Sequence, residues 1–386
     1  MAKLGEICLI NPKSCTLRDD TEVSFIPMTK VGEHGEFDAS EIKNYSEVKK
    51  GFTNFQNGDI LFAKITPCME NGKGAIAHNM KNGIGFGSTE FHVLRPDTDK
   101  ITREWLYYLT TWKTFRKEAE RNMTGSAGQK RVPKTFLENY VVNLPDIDTQ
   151  KSENKILRKV DDLISLCKQQ LAKLDELVKA RFVEMFGDIS NSRKVPMQDV
   201  CKIITDGTHQ PPKFVLSGIP FLFVSNIVTN EIHYDAEKFI SEETYNELIK
   251  RTPIEVGDVL LSTVGSYGHP AVVKENKPFC FQRHIAYLKP NNSEVNSEYL
   301  RCAILSTDLQ RQIDESVKGI AQKTLNLSEI RKLRLPLPSL SLQNQFAAFV
   351  ERIDRQKQTV QQSLEKLELM KKAKASLFEG GGTAQP

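Results

Sequence analysis

The string NGDIL at residues 57–61 returns as VGDVL at residues 256–260, and in both places a Gly-Asp turn leads into an apolar run. Further pairs of strings match at an offset of 193 or 194 residues. They are FHVLRP at 91–96 with HIAYLKP at 284–290, EWL at 104–106 with EYL at 298–300, GSAGQK at 125–130 with KGIAQK at 318–323, and NLP at 143–145 with PLP at 336–338. Matches at nearly one offset predict a chain built from two copies of one domain.

Each copy predicts an α+β domain. β-Branched and aromatic runs bounded by Gly, Pro or Asn predict strands around the Gly-Asp turns, and residues 105–120 and 299–315 each predict a helix. The two strand-rich domains are predicted at residues 1–148 and 189–340.

Two long helices are predicted at residues 149–188 and 341–379, where glycine and proline vanish after the Leu-Pro strings. Apolar residues recur there at spacings of four and three, which is the pattern of a coiled-coil seam. Since an isolated helix of this kind leaves its apolar stripe in water, the helices are predicted to pack with each other or with a partner. Packing of each helix on its own domain is the alternative. The predicted interface residues are Ile164, Leu171, Leu174, Val178, Val360, Leu364 and Leu367.

Composition narrows the class of protein. Hydrophobic residues make up 39% of the 386 residues and charged residues 26%, a balance that can bury a core. A net charge of +4 permits a polyanionic partner. The first residues lack a signal-peptide pattern and no apolar run is long enough to span a membrane, so a cytoplasmic protein is predicted. The glycine-rich string GGGTAQP at residues 380–386 predicts a flexible tail.

Sequence motifs of common catalytic and metal sites are missing. The seven cysteines form no C-x-x-C pair, no G-x-x-x-x-G-K-S/T loop occurs, and the seven histidines include no H-E-x-x-H. Neither a bound cofactor nor a metal is predicted in this chain. A self-contained, metal-dependent nuclease using Asp146, Glu153 and Lys155 remains an alternative. Asp146 and Glu153 are also residues that helix starts favour.

The matched loops of the two copies carry side chains suited to duplex DNA. Two similar domains on a helical spacer suit a polymer of repeating geometry, and Arg, Lys, Gln and hydroxyl side chains bind base edges and phosphates. Solvated loop charges are the alternative interpretation. The DNA-binding candidates are Lys64, Lys73, Ser126, Gln129, Lys130, Arg131, Ser266, Tyr267, His269, Arg283, His284, Gln322, Lys323 and Thr324.

Over essentially its whole length, the chain resembles the specificity subunit of type I restriction-modification enzymes. The resemblance is carried by the repeated Gly-Asp turn, the string that ends in Gln-Lys, and the Leu-Pro string leading into a long helix. It implies two strand-rich target recognition domains, each reading one half of a bipartite site in double-stranded DNA. The two long helices between them would pack as an antiparallel coiled coil and set the spacing.

The resemblance also implies which activities lie in partners. The family's subunit is non-catalytic and holds two modification subunits, which use S-adenosylmethionine to methylate adenines. The full complex adds two restriction subunits, which translocate and cleave DNA with ATP and Mg²⁺. A specificity subunit that serves a combined type II methylase-nuclease is a further alternative, since the difference lies in the partner.

Overall fold

The computed structural model describes residues 1–126, 128–187, 194–319 and 323–379, with side chains of the last helix described as far as Lys374. The chain divides into two compact units. Unit 1 comprises Met1–Cys167 with the described residues from Ser363 onward, and unit 2 comprises Lys168–Gln362. Both long helices therefore contribute to both units. The predicted tail at residues 380–386 lies outside the described residues.

Unit 1 is built from short strands and helices that precede the first long helix. Its helices are α1 (Leu4–Ile7), α2 (Tyr45–Val48), α3 (Arg103–Thr111), α4 (Lys113–Arg121), α5 (Lys134–Asn139) and the start of α6 (Ile147–Phe186). Its strands are β1 (Ala2–Lys3), β2 (Cys8–Ile10), β3 (Glu22–Ile26), β4 (Ile42–Asn44), β5 (Thr53–Gln56), β6 (Ile60–Ala63), β7 (Gly74–Ile76), β8 (Ile84–Gly87), β9 (Phe91–Pro96) and β10 (Val141–Val142). The sheets have the orders β2-β9-β6-β7 and β4-β3-β8-β5, with β1 paired to β10.

Unit 2 repeats this arrangement. Its strands are β11 (Lys194–Pro196), β12 (Cys201–Asp206), β13 (Phe214–Val215), β14 (Ile219–Leu222), β15 (Phe239–Ile240), β16 (Val259–Ser262), β17 (Pro270–Val272), β18 (Cys280–Phe281), β19 (Ile285–Pro290) and β20 (Arg334–Pro336). Its helices are α7 (Met197–Val200), α8 (Glu242–Leu248), α9 (Ser297–Ile304), α10 (Thr307–Ser316), α11 (Leu327–Lys332) and the start of α12 (Leu340–Glu379). The order β12-β19-β16-β17, with β11 paired to β20, matches unit 1. In the other sheet, β13-β15-β14-β18, the strands β15-β14-β18 correspond to β4-β3-β8, and the fourth strand lies at the opposite edge from β5. The predicted α+β class with repeated domains is confirmed.

The Gly-Asp turns lead into the central strands β6 and β16, all of whose residues are buried. Gly58 and Gly257 adopt φ values of +92° and +95°, which glycine tolerates without strain. The following aspartate is also buried. The backbone N–H of Gln56 donates to Asp59 Oδ2 at 2.8 Å, and that of Glu255 donates to Asp258 Oδ2 at 2.8 Å. The repeated motif therefore supplies a backbone conformation and a carboxylate that closes the turn.

The prediction of a single helix at residues 105–120 and another at residues 299–315 is wrong, because the structure has two helices in each region. Trp112 is extended, with ψ at 141°, and separates α3 from α4. In unit 2 the side chain of Ser306 accepts a hydrogen bond from the backbone N–H of Leu309 at 3.4 Å and caps α10. A serine cap satisfies a free N–H at a helix start and so favours a break there.

Segments of α6 and α12 pack antiparallel in each unit. In unit 1 Lys371 pairs with Asp161 and Lys374 with Glu153, so residue numbers rise on one helix as they fall on the other. In unit 2 Lys357 pairs with Asp175, and the rings of Phe346 and Phe182 lie 5.5 Å apart. Val360 and Leu364 are buried, while Ile164, Leu171, Leu174, Val178 and Leu367 are half-buried.

Candidate nucleic-acid interface

In unit 1 the backbones of Thr124 and Arg131 pair beside the loop that follows β6. The backbone N–H of Thr124 donates to the carbonyl of Arg131 at 3.0 Å, and the reverse bond measures 2.8 Å. The N–H of Val132 donates to the Lys64 carbonyl at 2.9 Å, and that of Thr66 donates to the Lys130 carbonyl at 3.0 Å. These bonds bring together three of the predicted DNA-binding residues, Lys64, Lys130 and Arg131.

Unit 2 has the equivalent backbone hydrogen bonds, in segments that carry different side chains. The backbones of Lys318 and Thr324 exchange bonds of 3.0 and 2.9 Å. The N–H of Leu325 donates to the Thr263 carbonyl at 2.8 Å, and that of Gly265 donates to the Lys323 carbonyl at 3.3 Å. We call residues 64–73 and 263–269 the post-strand loops, and the described residues within 124–131 and 318–324 the hairpin loops.

A third segment completes each site. The N–H of Lys64 donates to the Glu90 carbonyl at 2.9 Å, and in unit 2 the N–H of Thr263 donates to the His284 carbonyl at 2.9 Å. Glu90 and His284 therefore occupy equivalent positions beside the two hairpin loops. Their side chains give the two sites different charge.

In unit 1 Glu90 forms a bidentate ion pair with Arg131, from Nε at 2.9 Å and Nη2 at 2.8 Å. This hydrogen bonding lowers the pKa of Glu90 and raises that of Arg131. Arg131 Nη1 also donates to the carbonyl of Gln129 at 3.2 Å. The guanidinium of the predicted DNA contact Arg131 is thus bonded to its own hairpin loop and to Glu90, a carboxylate that is not among the predicted DNA contacts.

In unit 2 the equivalent positions hold His284 and Thr324. Burial, and then the charge of Arg283, lower the pKa of His284. Arg283 itself is exposed, and its Nε lies 3.4 Å from Nε2 of His284. A neutral imidazole and a hydroxyl replace the carboxylate and guanidinium of unit 1, so this site is the less strongly paired of the two.

The remaining candidates are distributed around these segments. Ser126, Gln129 and Lys130 in unit 1, and Ser266 and Lys323 in unit 2, are exposed. Lys73 donates to the Met28 carbonyl at 3.3 Å. Tyr267 donates to Asp314 at 3.0 Å, and the ammonium of Lys323 lies 6.0 Å from its ring centroid. Gln322 lies outside the described residues.

Lys73 and His269 occupy one position of the repeat. The N–H of Ala63 donates to the Lys73 carbonyl at 3.3 Å, and that of Ser262 donates to the His269 carbonyl at 3.0 Å. Both residues end their post-strand loops directly before the next strand. Both residues are predicted DNA contacts, and these hydrogen bonds show that they are equivalent.

Sequence reasoning also missed Arg116 and Gln310, which lie 194 residues apart on α4 and α10. Both side chains bond to the backbone of a post-strand loop. Burial lowers the pKa of Arg116 to about 10. Their separation equals the offset of the repeat, and this was the signal that the sequence offered. Arginine and glutamine differ in residue type, however, so the pair does not stand out as a match.

The residues of the alternative nuclease site have other roles. Asp146 precedes α6 and accepts from the backbone N–H and hydroxyl of Thr149, at 2.9 and 2.8 Å. Glu153 forms an ion pair with Lys374, and Lys155 is exposed. Within the described ranges, no group of three or more His, Cys, Asp and Glu side chains could hold a metal ion. None of the described helices has the length and apolar character to cross a membrane.

Comparison with known proteins identifies relatives. The family model described as type I restriction modification DNA specificity domain matches residues 1–176 and 190–369. The EcoAI type I restriction enzyme specificity subunit of Escherichia coli is 44% identical over 200 residues, which is 50% of this chain and 33% of that relative. This chain thus matches about a third of the length of that curated relative.

Two solved structures have a similar fold. The type I restriction-modification S subunit from M. genitalium matches with a TM-score of 0.58 at 13% identity, over 97% of this chain and 94% of that one. A chain from a study of complex assembly and conformational transition of the type I restriction-modification system matches with a TM-score of 0.53 at 18% identity, over 97% and 96%. At these identities the likeness is one of fold.

Proposed function

This chain belongs to the family of type I restriction-modification DNA specificity domains, and from that premise we propose that it is the DNA sequence-specificity subunit of a type I restriction-modification complex. Unit 1 and unit 2 each act as a target recognition domain for one half of a bipartite site. The observation that carries the proposal is the duplicated site. The same three segments, joined by the same backbone hydrogen bonds, carry different side chains in the two units.

The differences between the sites support two different half-sites. Direct readout depends on the donor and acceptor groups that face the bases, and phosphate contacts set only the position. The equivalent positions hold Lys73 and His269, Glu90 and His284, and Arg131 and Thr324. Exposed Lys130 and Lys323 are at matched positions beside them and suit phosphate contacts in both units.

We assign catalysis to partner subunits. Two modification subunits with S-adenosylmethionine would methylate adenines, and two restriction subunits with ATP and Mg²⁺ would translocate and cleave DNA. This assignment rests on family membership. The α6–α12 pair would set the distance between half-sites and offer a surface for the partners, since Leu163, Leu166 and Leu177 of α6 are exposed apolar residues.

Methylome sequencing tests the proposal. DNA from cells that express this chain with the modification subunit of its own system should gain a methyladenine motif with two short halves around an unspecified gap. Cells that express the modification subunit alone are the control. A soluble complex without a new motif would contradict the specificity role and would direct the next assay to DNA cleavage by the chain alone.

Insertion of one helical turn, about four residues, into both α6 and α12 tests the spacer role. We expect the gap of the motif to change while the half-site sequences stay the same. Exchange of residues 1–148 for another recognition domain should change one half-site only. Changed half-sites after the insertion would show that the helices are not the spacer.

The nuclease alternative has its own discriminating variant, Glu153→Ala. Loss of metal-dependent cleavage by the isolated chain would support that alternative. If the variant keeps partner-dependent methylation and the parent chain itself shows no cleavage, the nuclease alternative is excluded. Whether the partner is a type I pair of subunits or a combined type II methylase-nuclease is decided by the protein that co-purifies with this chain.

A further inference from the structure

We propose that Arg116 and Gln310 are positioning residues that fix the post-strand loops in the conformation that reads DNA, each for its own half-site. The inference rests on the proposed function and adds specificity-determining residues to it. Neither side chain belongs to a loop, and neither needs to touch DNA. They act through the backbone of the loop beside them.

Arg116 of α4 is 7% exposed and bonds to two segments at once. Its Nε donates to the carbonyl of Thr110 at the end of α3, at 2.7 Å. Its Nη1 and Nη2 donate to the carbonyls of Met69 and Gly72 in the post-strand loop, at 2.6 and 3.0 Å. Because the guanidinium is planar and carries five N–H groups, these bonds fix the loop relative to the helices.

Gln310 of α10 makes the equivalent link in unit 2 through its side-chain amide. Its Nε2 donates to the carbonyl of Ile304 at the end of α9, at 2.8 Å, and to that of Gly268 in the post-strand loop, at 2.9 Å. Ile304 lies 194 residues after Thr110, which is also the offset between Gln310 and Arg116. A position that changes from arginine to glutamine and still links the helix end to the loop indicates that the link itself is what both units need.

The length of each loop explains the difference in residue type. The post-strand loop of unit 1, residues 64–73, is longer than that of unit 2, residues 263–269. The additional Nη1–H of Arg116 bonds to Met69, inside the longer loop. Glutamine has only two amide hydrogens, which are enough for the two carbonyls that it reaches in unit 2.

The clamped carbonyls lie directly before the candidate DNA contacts. Gly72 precedes Lys73, and Gly268 precedes His269, and both glycines have positive φ, at +92° and +81°. A peptide held at such a turn by a side-chain donor fixes the direction in which the next side chain leaves the backbone. Release of the carbonyl would let Lys73 or His269 sample several directions, which costs affinity for the correct base more than it costs the fold.

The test uses the complete chain in complex with its modification subunit. Methylation rates are measured on duplexes that carry the cognate site or a single base change in one half-site. For Arg116→Met we expect discrimination against changes in one half-site to fall about 10-fold, with the other half-site unaffected. For Gln310→Met the affected half-site should be the opposite one.

Two further variants separate positioning from folding. Arg116→Gln keeps two donors, so it should lose less discrimination than Arg116→Met at the same half-site. Lys117→Met, at the neighbouring exposed position of α4, is the matched control and should behave as the parent chain. Melting temperatures of all variants are measured alongside, so a variant that fails to fold is recognised and the Arg116→Gln result is used.

Equal loss at both half-sites, or unchanged discrimination in folded variants of both residues, would overturn the proposal while leaving the specificity role intact. Failure of the parent complex to methylate any bipartite site would instead overturn the proposed function, and the positioning role would fall with it.

Discussion

Unit 1 and unit 2 hold the start of their long helices with identical hydrogen bonds. In unit 1 Gln150 accepts from the N–H of Thr102 at 2.8 Å and donates to the carbonyls of Lys100 and Pro145, both at 2.9 Å. In unit 2 Gln343, 193 residues later, accepts from the N–H of Asn296 at 2.8 Å and donates to two carbonyls at 3.1 and 2.9 Å. Both glutamines are fully buried.

One turn further along, the chemistry diverges. Three residues after Gln343, Phe346 meets Phe182 of α6 in an edge-to-face contact. Three residues after Gln150, Glu153 instead forms an ion pair with Lys374 of α12. The repeat has therefore kept the residues that determine backbone geometry and has exchanged those that fill a contact, as in the two candidate reading sites.

The largest expected difference between the units comes from the aromatic cluster of unit 2. Phe186 is 3% exposed, and its ring centroid lies 4.9 Å from that of Tyr299 and 5.4 Å from that of Phe346. We expect Phe186→Ala to destabilise unit 2 by about 4 kcal/mol, because it leaves a cavity in the core.

Both tryptophans, Trp105 and Trp112, lie in unit 1, so fluorescence follows unit 1 while far-UV circular dichroism follows both units. In denaturant titrations, Phe186→Ala should shift only the circular dichroism transition. An equal shift of the fluorescence transition would mean that the two units unfold as one.

The next largest effect tests the equivalence of the two glutamines. Gln150→Leu and Gln343→Leu each remove a fully buried amide together with its bonds to one backbone N–H and two carbonyls, so each should cost about 3 kcal/mol in its own unit. Fluorescence follows the first variant and circular dichroism the second. If the two losses of unfolding free energy differ by more than about 1 kcal/mol, the identical bonds contribute unequally to the stability of the two units.

Much of this framework could be predicted from the sequence, because the repeat places its strings where the backbone is most constrained. The Gly-Asp turns precede the central strands, and the Leu-Pro strings precede α6 and α12. The long helices were predicted at residues 149–188 and 341–379 and are observed at Ile147–Phe186 and Leu340–Glu379. Local patterns determine such elements, since helix periodicity and turn residues act over a few positions.

The candidate site was less predictable, because its organisation depends on contacts between distant residues. Nothing local in the sequence pairs Glu90 with Arg131, or Arg116 with the carbonyl of Gly72. Every residue has a backbone carbonyl, so a side chain that donates to one has no characteristic partner residue that could be found in the sequence. An alignment of the two copies by their hydrogen bonds, rather than by residue identity, is what reveals these positions.

A smaller effect is expected from exchanging the chemistry of one unit for that of the other. The side chains of Glu153 and Lys374 are 18% and 25% exposed. Glu153→Gln should cost about 1 kcal/mol, since it leaves the ammonium without its partner. The double variant Glu153→Phe with Lys374→Phe replaces the ion pair by two phenylalanines, the residue types of the contact in unit 2, and should recover that loss, because an apolar pair needs no desolvation of charge.

Tryptophan fluorescence in denaturant follows the unfolding of unit 1 in both variants. Addition of 1 M salt should lower the stability of unit 1 in the parent chain but not in the double variant. Phe346→Leu in unit 2 is the control and should leave the fluorescence transition unchanged. A double variant less stable than Glu153→Gln would show that the surroundings of this contact, and not only its two residues, differ between the units.

The smallest effect is a difference in the pH response of the two sites. Burial lowers the pKa of His284 below its ordinary 6.5, so the contribution of the neutral ring is fully present above 6.5 and is lost as the pH falls through the folded-state value. Hydrogen bonds from Arg131 lower the pKa of Glu90 below 4.5, so its contribution is fully present above 4.5 and is lost only at lower pH. Between pH 6.5 and 4.5, only the site of unit 2 should loosen.

Hydrogen exchange measures this difference at matched amides. Val132 donates to the carbonyl of Lys64 in unit 1, and Leu325 donates to that of Thr263 in unit 2. After correction for the intrinsic rate at each pH, protection of Leu325 should fall slightly between pH 7 and 5 while that of Val132 stays constant. His284→Gln should make the two amides respond alike. If Leu325 still lost protection in that variant, the pH response would come from another group, and the exchange of Glu90 for His284 would not distinguish the sites.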